Sequence, residues 1–165
     1  MGPMTNGPMT NDQLKGKVYV LAHNIRSLHN VGSIFRTCDG AGVKKLYLTG
    51  YSGVPPRKEI TKTALGADES VAWEFHKDPI SVIKMLKKDG VQIVALEKNR
   101  KSKDISKFKP KYPVCMIIGN EIDGVEQDLL KLSDAVVHIP MHGKKESLNV
   151  SVAFGIGIYY FTDVR

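Results

Sequence analysis

Short apolar runs, each too brief for a helix, alternate along this chain with longer segments of helical periodicity, and that alternation restricts the fold more than any other feature. Lys17–Ala22, Lys45–Thr49, Val71–Glu74, Val91–Leu96, Val114–Ile118 and Ala135–Ile139 read as strands. Val31–Ala41, Glu59–Leu65, Pro79–Lys88, Val125–Leu132 and Leu148–Phe161 read as helices, with Ile80, Ile83 and Leu86 on one face of the third. Strands alternating with helices predict an α/β fold, a parallel sheet covered by helices on both faces. In such sheets ligands bind beyond the carboxyl ends of the strands. Residues that follow strand ends are therefore the first candidates for a site.

At 165 residues the chain is expected to form one domain over residues 16–165. Residues 2–6 and 7–11 repeat one pentapeptide, Gly-Pro-Met-Thr-Asn. That composition has nothing to bury, so residues 1–15 are expected to form a disordered tail, native or added during cloning. No apolar run approaches a membrane span and no secretory core is visible, which points to the cytoplasm. Cys38 and Cys115 lack metal-ligand spacing and read as buried thiols.

The formal net charge is +7. A basic chain favours a polyanionic partner, nucleic acid being the commonest. Residues 98–111 concentrate that charge: Lys98, Arg100, Lys101, Lys103, Lys107, Lys109 and Lys111 stand against Asp104 alone. This run reads either as a solvated loop or as a phosphate-contacting edge at the ligand end of the Val91–Leu96 strand.

Three constellations follow strand ends. The first, residues 24–37, passes from strand to helix, with Asn30 as the expected N-cap and Gly32 and Ser33 keeping the first turn small. Arg36 lies nearly two turns beyond Asn30. By itself this is a capped helix carrying an exposed arginine. The second, residues 117–125, ends a buried strand at Gly119, follows it with Glu121 and Asp123, and places Gly124 before a helix. Its residues admit a weak cation site, a phosphate cradle that lacks the P-loop lysine, or a plain strand–turn–helix. The third, residues 139–154, breaks an apolar strand at Pro140, runs through a polar loop and opens an apolar helix at Ser147, Asn149 and Ser151. Such a tip offers free backbone N–H and C=O groups to a small polar molecule, with Met141 and Leu148 available to pack on its flat face.

Taken together and in this order, the three constellations resemble the three motifs of the SpoU (TrmH-like) branch of the SPOUT RNA methyltransferases. Asn30-x-Gly32-Ser33-Ile34-x-Arg36-Thr37 matches the first motif, Gly119-x-Glu121-x-x-Gly124 the second, and the Ile139–Phe154 segment with Ser147-Leu148-Asn149 the third. The likeness runs from about Val18 to the C-terminus and includes Thr63-Ala64-Leu65-Gly66-Ala67 and Ala95-Leu96-Glu97. It implies a SPOUT fold with a C-terminal deep trefoil knot, an exception to the rule against knots. The knot would form a pocket for S-adenosyl-L-methionine from Leu96, Gly119, Glu121, Ile139, Met141, Ser147, Leu148 and Asn149.

The implied reaction is methyl transfer to a ribose 2′-hydroxyl of tRNA or rRNA, with no metal. The resemblance assigns the catalytic work to Arg36, supported by Asn30, Glu121, Ser147 and Asn149. A guanidinium holds its proton tightly and is a poor base at neutral pH, so Arg36 is expected to orient the hydroxyl and stabilise the developing alkoxide, with deprotonated guanidine as the other possibility. The sequence has no Gly-x-Gly-x-x-Gly after its first strand, which argues against a dinucleotide-binding sheet.

The last helix is apolar nearly all round, with Leu148, Val150, Val152, Phe154, Ile156, Ile158 and Tyr159, so one face needs a second cover and a homodimer is expected, as the resemblance also implies. Many relatives carry an additional N-terminal RNA-binding domain that this sequence does not show, so the RNA grip is expected from the catalytic dimer, through Lys98–Lys111 and Arg26. The alternatives are a catalytically silent RNA-binding protein that retains the fold, and a methyltransferase acting on something other than RNA.

Overall fold

Strand residues that alternate between two apolar layers organise the molecule. In the computed structural model, which describes residues 17–162, β1 spans Val18–His23, β2 Lys45–Thr49 and β6 Val114–Ile118. Val20, Ala22, Leu46, Leu48, Met116 and Ile118 face one core. Leu21, Tyr47, Cys115 and Ile117 face the other. Burial on both sides explains why these strands read as unbroken apolar runs rather than as alternating ones. The expected tail, residues 1–15, lies outside the described residues.

The first layer is covered by α1 (Leu28–Ala41), α2 (Lys58–Ala64), the single turn α3 (Ala67–Ser70) and the last helix, α6 (Val150–Thr162). The second is covered by α4 (Pro79–Lys88) through Val82, Ile83 and Leu86, and by α5 (Gln127–Leu132) through Leu129. Gly32 lets α1 and α2 approach closely. A Cβ there would overlap Thr63 Oγ1 and the Ile60 carbonyl oxygen and lie 3.1 Å from the Ala64 nitrogen.

The remaining strands are β3 (Trp73–His76), β4 (Gln92–Leu96), β5 (Lys103–Asp104) and β7 (Ala135–His138). The seven-stranded sheet runs β3-β2-β1-β6-β4-β7-β5. All its pairings are parallel. The expected α/β class with helices on both faces is therefore present. Parallel pairing also puts the carboxyl ends of β1, β2, β4, β6 and β7 on one edge of the molecule, where the three constellations begin.

Several boundaries differ from expectation. The strand expected at Val71–Glu74 lies at Trp73–His76, because the Val71 N–H closes α3 on the Ala67 carbonyl. The helix expected from Val125 begins at Gln127, and the last helix begins at Val150 rather than at Ser147 or Leu148. The basic run is no simple loop. It contains β5 and a 3-10 turn, Ile105–Lys107, and is anchored by buried Ile105 and by Phe108, whose ring centroid lies 6.2 Å from that of Phe161. Its lysines remain on the outside. Both cysteines are buried, and burial pushes their thiols well above the ordinary range. Among the described residues no helix is long and apolar enough to cross a membrane.

Candidate active site

Helix α1 starts three residues earlier than expected. Ser27, not Asn30, is the N-cap: its φ and ψ are −81° and 122°, and its hydroxyl accepts the Asn30 N–H at 3.2 Å. Capping by Ser27 leaves the Asn30 side chain to a tertiary role. Asn30 Nδ2 donates to Glu121 Oε1 at 3.1 Å. Its Oδ1 faces Asn149 Nδ2 at 3.5 Å, the outer limit of a hydrogen bond. One amide thus touches all three constellations.

Glu121 is the other half of this junction. Its Oε1 also accepts the Ser27 N–H at 3.0 Å, and its Oε2 accepts the Arg26 N–H at 3.0 Å. Partial burial raises the carboxyl pKa, but hydrogen bonds from the Ser27 and Arg26 amides, its own amide and the Asn30 side chain outweigh it and hold the group below the ordinary carboxylate range. The carboxylate therefore satisfies amide donors at the start of α1, where the helix also favours negative charge. This use argues against Glu121 as a cation ligand. Among the described residues no group of three or more His, Cys, Asp or Glu side chains is placed to hold a metal ion.

Behind the junction lies a cavity of about 360 Å³ at the ends of β4, β6 and β7. Leu96, Gly119, Glu121, Ile139, Met141, Ser147 and Leu148 all line it. Asn149, expected among them, does not. It caps α6 instead, its Oδ1 accepting the Ser151 N–H at 2.9 Å. Ser147 and Leu148 stand in the loop before that helix. Gly119 keeps the strand end narrow: a Cβ there would overlap the Gly124 carbonyl and lie 2.6 Å from the Val125 nitrogen.

Two further residues shape the cavity that the sequence did not single out as site residues. Glu97 braces the second constellation, its Oε2 accepting the Val125 N–H at 2.8 Å. Asn120 folds its own turn, its Oδ1 accepting the Ile122 and Asp123 N–H groups at 2.8 and 2.9 Å. An Asn immediately after a strand and before a Gly-containing turn is a legible Asx-turn signal. Glu97 carries no sign of this role beyond its place in the Ala95-Leu96-Glu97 segment. Lys98 and Asn99, where the basic run starts, form part of the cavity rim.

Arg36 is exposed on α1 and is not a lining residue of the cavity. Among the described residues no hydrogen bond or ion pair holds its guanidinium. The residues that follow it meet α6: a Cβ at Gly40 would lie 3.0 Å from the Tyr159 hydroxyl, and one at Gly155 would lie 4.0 Å from Thr37 Cγ2. Arg36 therefore sits beside the α1–α6 contact rather than inside the cavity. On α6 itself, Val152, Ile156, Tyr159 and Tyr160 are exposed while Phe154, Ile158 and Phe161 fill the core.

A cavity of this size is ordinary for a small-molecule cofactor. Its apolar walls (Leu96, Ile139, Met141, Leu148) suit a flat ring. Strand-end backbone and the Glu97 and Glu121 carboxylates suit a polar, cationic remainder.

Comparison with known proteins agrees with this geometry. The sequence profile described as the SpoU rRNA Methylase family matches residues 17–159. A tRNA (guanosine(18)-2′-O)-methyltransferase of Aquifex aeolicus is 35% identical over 141 residues, which cover 85% of this chain and 66% of that enzyme. The crystal structure of the A. aeolicus TrmH/SpoU tRNA modifying enzyme superposes with a TM-score of 0.82 at 32% identity, covering 90% of this chain and 75% of that one. An AdoMet-bound rRNA methyltransferase from Sinorhizobium meliloti has a TM-score of 0.82 at 28% identity, covering 88% of this chain and 56% of that one. The chain thus spans between about half and three quarters of the length of these relatives.

Proposed function

The chain belongs to the SpoU rRNA methylase family, and from that premise we propose that it is an S-adenosyl-L-methionine-dependent methyltransferase that methylates a ribose 2′-hydroxyl in tRNA or rRNA. The observation that carries this reading is the junction at Asn30. It ties the helix bearing Arg36 to Glu121 and to Asn149 at the mouth of a cofactor-sized cavity. Residues 16–165 are read as one SPOUT methyltransferase unit. A C-terminal trefoil knot is part of the proposal. It is supported by the insertion of β6 between β1 and β4 and by the lacing of strand-end loops, where Glu97 donates its N–H to Val137 and receives that of Val125.

Leu96, Ile139, Met141 and Leu148 would enclose the adenine, and the narrow turn at Gly119 would keep backbone groups within reach of the cofactor. S-adenosyl-L-methionine supplies an electrophilic methyl group when bound, so the chain's task is positioning and charge stabilisation. Glu121 and Asn149 hold Asn30, and Asn30 fixes the first turn of α1. Arg36 orients the 2′-hydroxyl, and its guanidinium stabilises negative charge as it develops on the oxygen. Ser147 and Asn149 keep the loop before α6 in register with that oxygen. Lys98, the rest of the basic run and Arg26 provide a cationic approach for the RNA backbone.

A homodimer completes the proposal. The exposed Val152, Ile156, Tyr159 and Tyr160 form an uncovered apolar stripe on α6 beside Arg36. A second copy covering it would bring Arg36 into a closed site. Ile156→Asp is expected to convert the dimer to a monomer in sedimentation velocity and to abolish methyl transfer. A dimer of unchanged affinity in that variant would remove α6 from the interface.

The reading is tested by incubating the protein with methyl-labelled S-adenosyl-L-methionine and total tRNA and rRNA, then identifying the labelled nucleoside after digestion. A 2′-O-methylated nucleoside is expected. No cofactor binding by calorimetry at millimolar concentration, with no label transferred, would assign the chain to the silent RNA-binding alternative.

A further inference from the structure

We propose that Tyr51 is a fixed stacking platform for an unpaired nucleobase of the RNA, set at the rim of the cofactor cavity; this deepens the RNA-methyltransferase reading and rests on it. Tyr51 is 61% exposed, so core packing does not account for it. Yet it is held at both ends. Its backbone N–H donates to Asn24 Oδ1 at 3.0 Å, and its hydroxyl accepts from Asn120 Nδ2 at 2.7 Å. Asn120 lines the cavity, so the ring is tied directly to the cavity wall.

The segment beneath the ring turns through two left-handed residues. Asn24 adopts a left-handed φ of 56°, unusual for a residue with a side chain. Gly50 adopts 68°, and a Cβ there would overlap Asn24 Oδ1 and lie 2.8 Å from His23 Cε1. Asn24 is fixed in turn, its Nδ2 donating to Glu126 at 3.2 Å and its carbonyl accepting from Asn120. On the far side of Tyr51, the Ser52 hydroxyl accepts the Ile25 N–H at 2.9 Å. A non-glycine residue in this region, as Asn24 is, persists where the surroundings over-determine it, often at sites that bind a ligand. Here it immobilises an exposed aromatic ring in advance, which lowers the ordering cost of docking a partner on it.

The neighbourhood fits an RNA base. Asn120 also holds the backbone N–H of Ile122, which is 75% exposed, so one amide ties an aromatic ring and the backbone under an exposed aliphatic residue. Arg26 and Lys77 are exposed next to this segment. The backbone of Arg26 is anchored on Glu121, and the carbonyl of Lys77 accepts the Gly50 N–H. Aromatic faces interleaved with cations are how proteins take up unpaired bases, and stacking is worth enough per base to change affinity by roughly ten- to a hundredfold. A base seated on Tyr51 would place its own strand against the cavity that holds the methyl donor.

The test is steady-state methylation of total tRNA and rRNA by the full chain with Tyr51→Ala, Tyr51→Leu and Tyr51→Phe. Tyr51→Ala and Tyr51→Leu are expected to raise KM for RNA about ten- to a hundredfold, with cofactor affinity unchanged by calorimetry. Tyr51→Phe keeps the ring and loses only the hydroxyl, and its KM is expected within about threefold of the parent. An unchanged KM in Tyr51→Ala, a Tyr51→Leu variant that binds RNA like the parent, or an equal loss in Tyr51→Phe would overturn the platform while methylation by the parent leaves the activity standing. If the parent transfers no methyl group to RNA, the activity itself fails and the platform with it. A Tyr51→Ala protein that becomes a monomer would place the ring in a subunit contact and likewise overturn the proposal.

Discussion

Arg36→Ala is expected to cut methyl transfer to RNA about a hundred- to a thousandfold, the loss typical of removing one group that stabilises developing negative charge. Affinity for S-adenosyl-L-methionine, read by calorimetry, is expected to stay within about twofold of the parent. The separation follows from position. Arg36 is exposed and outside the cavity lining, so the cofactor does not depend on it. Arg36→Lys keeps the charge and loses the planar fork, and should recover only part of the rate. A variant without the guanidinium that methylates RNA at the parental rate would remove Arg36 from the mechanism.

Glu121→Ala is expected to lower both activity and stability. It leaves the Arg26 and Ser27 N–H groups and the Asn30 amide without their acceptor. Unsatisfied donors cost about 1–3 kcal/mol each when fully buried, and less here, where the junction is half exposed. A total near ~2 kcal/mol corresponds to a fall in Tm of roughly 4–8 °C for a domain of this size. Transfer should fall at least about a hundredfold, because the start of α1 and the Asn30 amide lose their common anchor. Glu121→Gln can accept on one side only and should fall between.

The same carboxylate sets a pH dependence. Its folded pKa is depressed, so the stability it contributes is fully present above the ordinary value of 4.5 and is lost as pH falls through the lowered folded value. The difference in Tm between the parent and Glu121→Gln is expected to be constant from neutrality down to that range and to shrink below it. A gap that instead widens on acidification would mean the carboxyl is stabilised in its protonated form.

Much of the architecture was legible because it depends on local pattern. Lys45–Thr49, Pro79–Lys88 and Val114–Ile118 are found with the expected bounds, since an apolar run between turn residues, or a Pro-initiated helix with one apolar face, carries its own signal. The start of α1 was misplaced because Ser27 and Asn30 are both good caps. A contact with Glu121, 91 residues away, claims the Asn30 side chain and leaves the cap to Ser27. β5 was invisible because it has two residues inside a lysine-rich run. It forms only because β7 offers an edge and Ile105 and Phe108 reach the core. The turn built by Asn120 was legible, but the contact of Glu97 with Val125, 28 residues away, was hidden, since its partner lies on another element.

What the amino-acid order determined by itself is the parallel α/β class, the placing of three motifs after strand ends, and a net positive charge that favours a polyanionic partner. These follow from periodicity, turn chemistry and net charge, each readable within a short window. Only the tertiary structure decided the strand order that brings β6 between β1 and β4, and with it the meeting of residues 30, 121 and 149. It also set the exposure of Arg36 and the hydrogen bond that ties Tyr51 to Asn120 in the cavity wall. The reason is physical: hydrogen bonds and close approaches between distant segments depend on how the sheet is threaded, and no local window records that.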